Sequence, residues 1–234
     1  MIPTKGRAGK TKTDSVLQNS GCHYCFVVEP QDQEMYAALG HPLMVLPENN
    51  KGIAYARQWI LNQMRRMKYP FFWMMDDDIN QFGKVENGKC RSEIWALDKA
   101  SEWLSKFKFS MASLQMCQFA WSSKTQLTSN RMAMQCVLFN VELCEGLNYD
   151  QNLKIREDYD ISLQAIYHGK GTLRLNDYYY RIAPMKSQAG GMSQWYNSET
   201  EKFEVEKLCK KWPGIIEPLK KEDRYDVKIN WRKL

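Results

Sequence analysis

Short apolar runs and stretches with apolar residues every three or four positions alternate along the first half of the chain. This is the pattern of strands alternating with helices, and it predicts a mostly parallel sheet. Strands are expected over residues 1–4, 25–29 and 43–46, and helices over 13–19 and 33–39. Ile53, Ala56, Ile60, Met64 and Met67 then set the stripe of an amphipathic helix over 52–67, with Arg57 beside the stripe. After the polar break from Arg65 to Pro70, the run Phe71-Phe72-Trp73-Met74-Met75 predicts a buried central strand of a parallel sheet covered on both faces.

Beyond Gly83 the pattern changes. Asn87-Gly88 is a hairpin-turn dipeptide. A helix is expected over 97–107, strands over 110–121 and 132–140, and a helix over 158–168 that ends at His168-Gly169-Lys170-Gly171. A strand over 172–180 follows. The second half is therefore expected to be mixed, with antiparallel pairing, and no internal repeat is visible.

The strand over 71–75 runs directly into Asp76-Asp77-Asp78. Three adjacent carboxylates repel one another and are tolerated where water, a cation or basic groups compensate them. In open α/β sheets, ligands bind at the carboxyl ends of strands, which makes the triplet a candidate metal site. An acidic turn that merely ends the strand is the plainer alternative.

Composition narrows the class. With 234 residues, 44% of them hydrophobic and 26% charged, the chain suits one α/β domain. No apolar run nears the roughly 18 residues of a membrane span, and the first residues lack the apolar stretch of a secretion signal. A soluble, cytoplasmic protein is expected. Seven cysteines among apolar neighbours suit reduced thiols rather than a disulfide framework. Cys22-His23-Tyr24-Cys25 lacks the second ligand pair of a zinc site and runs into a strand rather than a helix, so neither metal nor redox chemistry is expected there. A net charge of +6 favours polyanionic partners without naming one.

Gly6-Arg7-Ala8-Gly9-Lys10-Thr11 fails the Walker pattern, because two residues rather than four separate its glycines. Two readings of it stay open. A basic, glycine-containing loop after the first strand can meet a diphosphate with backbone N–H groups and an Arg, or it can be a solvated loop.

In order, Pro3-Thr4-Lys5-Gly6-Arg7, Val27-Val28-Glu29-Pro30, Asn50-Lys51-Gly52-Ile53-Ala54-Tyr55-Ala56-Arg57 and Phe72-Trp73-Met74-Met75-Asp76-Asp77-Asp78 resemble a glycosyltransferase of the GT-A fold. More narrowly, they are similar to the TET/JBP-associated glycosyltransferases, a family tied to sugar modification of hydroxymethylated pyrimidines in DNA, in phages and in base-J synthesis. The likeness covers about two thirds of the chain. It implies a nucleotide-sugar-binding half over about 1–82 and an acceptor-binding half over about 83–234. It also implies a D-x-D motif in Asp76 and Asp78, and an acidic acceptor-side motif in Arg156-Glu157-Asp158. On this resemblance Asp78 ligates Mn²⁺ or Mg²⁺, Asp76 faces the ribose or a metal-bound water, and Asp77 points elsewhere. Thr4 and Arg7 would hold the nucleotide, with Glu29 or Asp32 accepting hydrogen bonds from it.

Lys51 and Arg57 flank the start of a helix and suit the nucleotide and its phosphates, or are surface cations. Glu157 and Asp158 open a helix, where acidic residues also serve the dipole. By resemblance to inverting enzymes of this fold, Asp158 is the general base on the acceptor hydroxyl. No histidine follows His168, so the late histidine that often completes the metal shell is missing. Lys186, in a glycine-containing loop, is a candidate cation over the diphosphate of the UDP-sugar donor.

For the acceptor, Trp95, Phe119, Trp121, Tyr178-Tyr179-Tyr180 and Trp195-Tyr196 offer aromatic faces. Lys124, Arg131, Lys210, Lys211, Lys220 and Lys221 offer cations. Aromatics among cations suit an extruded base, though aromatics are more often core and a Lys-rich tail more often merely solvated. The expected function is metal-dependent transfer from a UDP-sugar to hydroxymethylated pyrimidine in DNA or to a sugar on it. Transfer to a protein or small glycan, or a catalytically silent nucleic-acid-binding module, remain alternatives.

Overall fold

The structure, a computed structural model, describes residues 1–18, 20–93, 96–183, 195, 197–222 and 224–234. Three short strands, β1 (Ile2–Pro3), β2 (Phe26–Val28) and β3 (Leu43–Val45), form a parallel sheet in the order β1-β2-β3. They alternate with α1 (Lys12–Leu17), α2 (Gln33–Ala37) and α3 (Ile53–Arg66), as the pattern predicts.

The other sheet begins with β4 (Phe71–Met75), followed by β5 (Ile79–Glu86) and β6 (Lys89–Ser92), which pair across the Asn87-Gly88 turn. After α4 (Ala96–Phe107) come β7 (Met111–Met116), the short α5 (Cys117–Ala120), β8 (Leu127–Ser129) and β9 (Cys136–Asn140). Then α6 (Glu157–His168) leads into the long β10 (Thr172–Ile182). The spatial order is β4-β9-β7-β10-β5-β6, with β8 on β10. The segment 110–121 is thus strand only to Met116 and then turns as α5, and 132–140 is strand only from Cys136.

β4 is not the interior strand of an all-parallel sheet. It lies antiparallel to β9, with Phe72 opposite Phe139. On its other side the Met1 nitrogen donates to Trp73 O (2.8 Å) and Met75 N donates to Met1 O (3.0 Å), which is the bonding of a parallel bridge. These two bonds join the sheets at β1 and β4, so β4 is central but mixed in sense.

Both faces are covered. Phe26, Val28, Ala112, Leu114 and Leu138 pack with Leu17 of α1 and Leu97 and Leu104 of α4. The alternate residues Val27, Met111, Val137 and Phe139 pack with Ile60, Leu61 and Met64 of α3 and Ile161 of α6. The period-two alternation of a strand sorts the two sets. Outside α6 lies a layer that the sequence pattern did not reveal: α7 (Ser198–Lys211) and the hairpin β11 (Ile216–Lys221)–β12 (Arg224–Ile229). Leu163 of α6 packs there with Val205, Leu208, Trp212 and Val227. Among the described residues, no helix is long and apolar enough to cross a membrane.

Gly83 of β5 leaves no room for a side chain. A Cβ there would stand 2.0 Å from Arg91 O and 2.5 Å from the Tyr179 ring. Gly83→Ala is expected to cost about 1–3 kcal/mol by forcing that backbone and ring apart. Urea unfolding checks this: a lower midpoint at unchanged slope is the expected result, and an unchanged midpoint contradicts it.

Candidate functional site

The acidic triplet leaves β4 while still in the ladder, since Asp76 N donates to Gln135 O at 2.7 Å. The chain then turns, and Thr13 holds the turn. Its Oγ1 donates to Asp76 O (2.6 Å) and accepts from Ile79 N (3.0 Å), while its backbone N reaches Asp77 O (3.3 Å). The three side chains consequently part. Asp77 is buried and accepts from Thr4 Oγ1 and from an Arg7 Nη, each at 2.5 Å.

Thr4 and Arg7, expected at the nucleotide, therefore bond to Asp77. The Tyr36 hydroxyl ties the same loop down, bonding Thr4 Oγ1 at 2.8 Å and accepting from Arg7 N at 3.1 Å. Buried Asp32 accepts from Gly6 N (2.9 Å), and Lys5 pairs with Glu29 (2.9 Å). The segment 4–7 is a fastened cradle rather than a solvated loop. Lys51 pairs with exposed Glu48 at 3.0 Å. Lys186 lies outside the described residues.

Arg57 is buried in α3, so it is not a surface cation, and both of its Nη atoms are bonded to protein carboxylates. One of its Nη atoms bonds Asp76, and the other donates to Glu157 Oε1 at 2.6 Å. It links the end of β4 to the first residue of α6. Burial opposes its charge, but Asp76 and Glu157 outweigh burial and hold the guanidinium protonated.

α6 is placed by the residue before it. Arg156 has φ +68°, a left-handed conformation uncommon outside glycine. Its guanidinium donates to Asp226 (2.8 Å) and to Tyr225 O (2.5 Å) on β12, so the outer hairpin fixes the start of α6. The acidic first turn of α6 divides its work. Glu157 is buried on Arg57. Asp160 is fully buried and accepts from Lys211 and Trp212 Nε1. Asp158 lies between them, half-buried, and accepts from Tyr159 N at 2.9 Å. No ion pair among the described residues engages it.

Five carboxyl groups, those of Asp76, Asp77, Asp78, Glu157 and Asp158, thus share two bonded guanidinium groups, those of Arg7 and Arg57. The imbalance shows in their proton affinities. Burial, then Asp76 and Asp77, push the Asp78 carboxyl up to about 7. Burial pushes Glu157 up to about 7, with Arg57 opposing and Asp158 adding to the rise. Asp158 is raised too, by burial first, against Arg57 and with Asp76.

Asp78 Oδ1 is buried with no hydrogen-bond partner. A carboxylate oxygen left without a donor beside two other carboxylates fits a cation. Among the described residues, no three or more His, Cys, Asp or Glu side chains converge on a metal position, so protein ligands alone would not complete a shell. The seven cysteines are all free thiols.

The aromatics expected for the acceptor part company. Tyr179 and Tyr180 are core, and Tyr178 is packed against it. Trp195 lies under Lys154 at 4.1 Å, and Arg131 covers Trp231 at 4.7 Å. Trp95 and Tyr196 lie outside the described residues. Phe119 and Trp121 are 52% and 62% exposed. A shallow cleft of about 270 Å³ between Lys84, Trp103, Leu127 and Tyr178 involves none of the triplet or α6 residues.

A family model described as TET-Associated Glycosyltransferase matches residues 1–191. Among solved structures, the chain is similar to S. aureus TarS 1-349 at a TM-score of 0.56 and 13% identity, over 89% of this chain and 64% of that one. The same TarS segment has been solved in complex with UDP. The mannosyltransferase PcManGT from Pyrobaculum calidifontis, in complex with GDP-Man and Mn²⁺, gives a TM-score of 0.56 at 15% identity, over 80% of this chain and 56% of that one. At these identities the likeness is one of fold, and the fold is GT-A. The chain spans less than two thirds of the length of either structure. No curated protein matches it.

Arg57→Met is expected to lower stability by about 3–5 kcal/mol, because it strands buried Glu157. Adding Glu157→Gln should recover part of the loss, with a coupling of about 0.5–3 kcal/mol in a double-mutant cycle read by urea unfolding. Additive effects would show that the two side chains stand independently.

Proposed function

The chain belongs to the TET-associated glycosyltransferases, and we propose that it transfers a sugar from a UDP-sugar to hydroxymethylated pyrimidine in DNA, or to a sugar already on that base. The observation that carries the reading is the unpartnered buried oxygen of Asp78 at the sheet edge where Asp158 also stands without an ion pair. Structures of the same fold bind the nucleotide UDP in TarS and the nucleotide sugar GDP-Man with Mn²⁺ in PcManGT. We assign residues 1–82 to the donor and 83–234 to the acceptor within one domain acting in the cytoplasm.

A divalent cation, Mn²⁺ or Mg²⁺, held by Asp78, Asp76 and the donor phosphates, would neutralise the charge that develops on the leaving diphosphate. Asp76 Oδ1 is taken by Arg57, so its other oxygen is left for the ribose or a metal-bound water. The Gly6-Arg7 cradle lies beside the triplet, and its fastening by Asp77, Asp32 and Tyr36, which takes up the N–H groups of Gly6 and Arg7, sets the shape of the loop against which a nucleotide would lie without reorganisation. Asp158 accepts the proton of the acceptor hydroxyl as that oxygen bonds the anomeric carbon, and the bond from that carbon to the UDP oxygen breaks. The displacement is direct and inverts the centre. Its raised proton affinity suits Asp158 to this role, because a carboxylate held well below the working pH would be a weak base.

Asp78→Asn is expected to abolish metal-dependent UDP-sugar binding with the fold intact. Asp77→Asn should cost stability instead, through loss of its bonds to Thr4 and Arg7. Asp158→Asn should lower transfer by about 10²- to 10⁴-fold with UDP affinity retained. Calorimetry with UDP and a transfer assay separate the three. Equal effects at Asp77 and Asp78 contradict the assignment of the cation, and parallel loss of UDP affinity contradicts that of the base.

The acceptor is tested with matched duplexes, with and without hydroxymethylcytosine, a panel of UDP-sugars, Mn²⁺ and mass spectrometry. Both duplexes should bind, more weakly as salt rises, and only the modified one should gain a sugar. Transfer to a peptide or glycan with none to modified DNA overturns the acceptor. Duplex binding without any UDP-sugar turnover overturns the enzyme in favour of a silent module.

A further inference from the structure

β4 and β7 are both antiparallel to β9, so they run the same way and end at the same edge of the sheet. Their register is level: Met74 and Ser113 both face Val137. Counting forward, Asp76, the last residue held in the β4 ladder, stands level with Gln115, two residues before α5 begins at Cys117. With β9 between them, the lateral offset is about 10 Å. β10 runs parallel to β7 and returns to the same place, where Ala183 N donates to Asp78 O at 2.9 Å. The turn formed by α5 and Trp121 therefore rises at the site's own edge, on the side away from β1 and its cradle.

Two large aromatics on that turn have no burial to explain them. Phe119 is 52% and Trp121 62% exposed, and Trp121 is the most exposed large hydrophobic side chain among the described residues. The indole is held in place, because Trp121 Nε1 donates to Gln118 O at 3.0 Å within its own turn. Its one polar group is thus satisfied, and what remains to a partner is its π-face. The base of the turn is fixed as well: Arg181 of β10 donates to Cys117 Sγ at 3.1 Å, and Cys117 lies 3.8 Å from Cys90. Lys124, three residues on, is exposed. A pre-set aromatic face beside an exposed cation is complementary to a nucleobase with its phosphate.

We propose that Phe119 and Trp121 form the stacking platform that seats the acceptor base, or the base flanking it, at the edge opposite the donor cradle. This rests on the proposed acceptor and names the residues that select it. A fixed indole beyond the strand ends gives a base drawn out of the duplex a surface to replace its lost stacking, and Lys124 neutralises its phosphate.

The test uses a short fluorescein-labelled single strand carrying one hydroxymethylcytosine, titrated by anisotropy, alongside transfer to the modified duplex and UDP affinity by calorimetry. Trp121→Ala should weaken oligonucleotide binding and kcat/KM for the duplex by roughly ten- to hundredfold, and Phe119→Ala by roughly tenfold. Trp121→Phe should restore most of the loss, since it returns a π-face, and UDP affinity should hold throughout. Unchanged oligonucleotide binding in both alanine variants overturns the platform. So does a loss of UDP affinity in step with oligonucleotide binding, which would place the two residues in the fold or donor site. If the unaltered chain transfers nothing to modified DNA, the proposed acceptor falls, while oligonucleotide binding still decides the platform.

Discussion

The site depends on one buried cation. Arg57 bonds Asp76 at the end of β4 and Glu157 at the start of α6, and without it neither carboxylate could sit where it does at tolerable cost. Guanidinium is the suitable group, because its planar fork engages two acceptors at once and stays charged under burial. A lysine at this position would be a single point charge that sheds its proton more readily. The same contact sets the distance between the edge that carries Asp78 and the helix that carries Asp158.

The acidic triplet works by dividing its three charges. Asp77 turns inward and is compensated by Thr4 and Arg7, so it serves as an anchor. Asp76 is compensated by Arg57, and Asp78 retains an oxygen that nothing in the described protein satisfies. Had all three been paired, the edge would be electrostatically complete and indifferent to a cation. Had none been paired, mutual repulsion would have opened the turn.

Much of this was legible in the chain. The apolar run 71–75 followed by three aspartates gave the strand and the acidic turn that ends it. The spacing from Ile53 to Met67 gave α3 within one residue at each end. What escaped is what periodicity does not encode. The antiparallel neighbour of β4 comes from some sixty residues away, and no local signal specifies strand sense. The bonds of Thr4 and Arg7 to Asp77 were not foreseen, because a resemblance in sequence cannot show which protein carboxylate a guanidinium will meet. The layer of α7, β11 and β12 was missed altogether. Its role, holding Arg156 in a left-handed turn, is visible only once Asp226 is brought beside that residue.

The parallel bridge of Met1 to β4 and the ladder of β9 on its other side have a consequence for how the chain acquires its shape. Both partners of β4 are remote in sequence, one at the first residue and the other beyond residue 135, so two long loops must close before the acidic motif has a strand to stand on. Such topology slows folding and leaves early intermediates with the run 71–75 uncovered. The order of assembly therefore does not follow the order of the chain: the first seventy-odd residues wait for a strand that begins at Cys136 before the sheet edge around the triplet is complete.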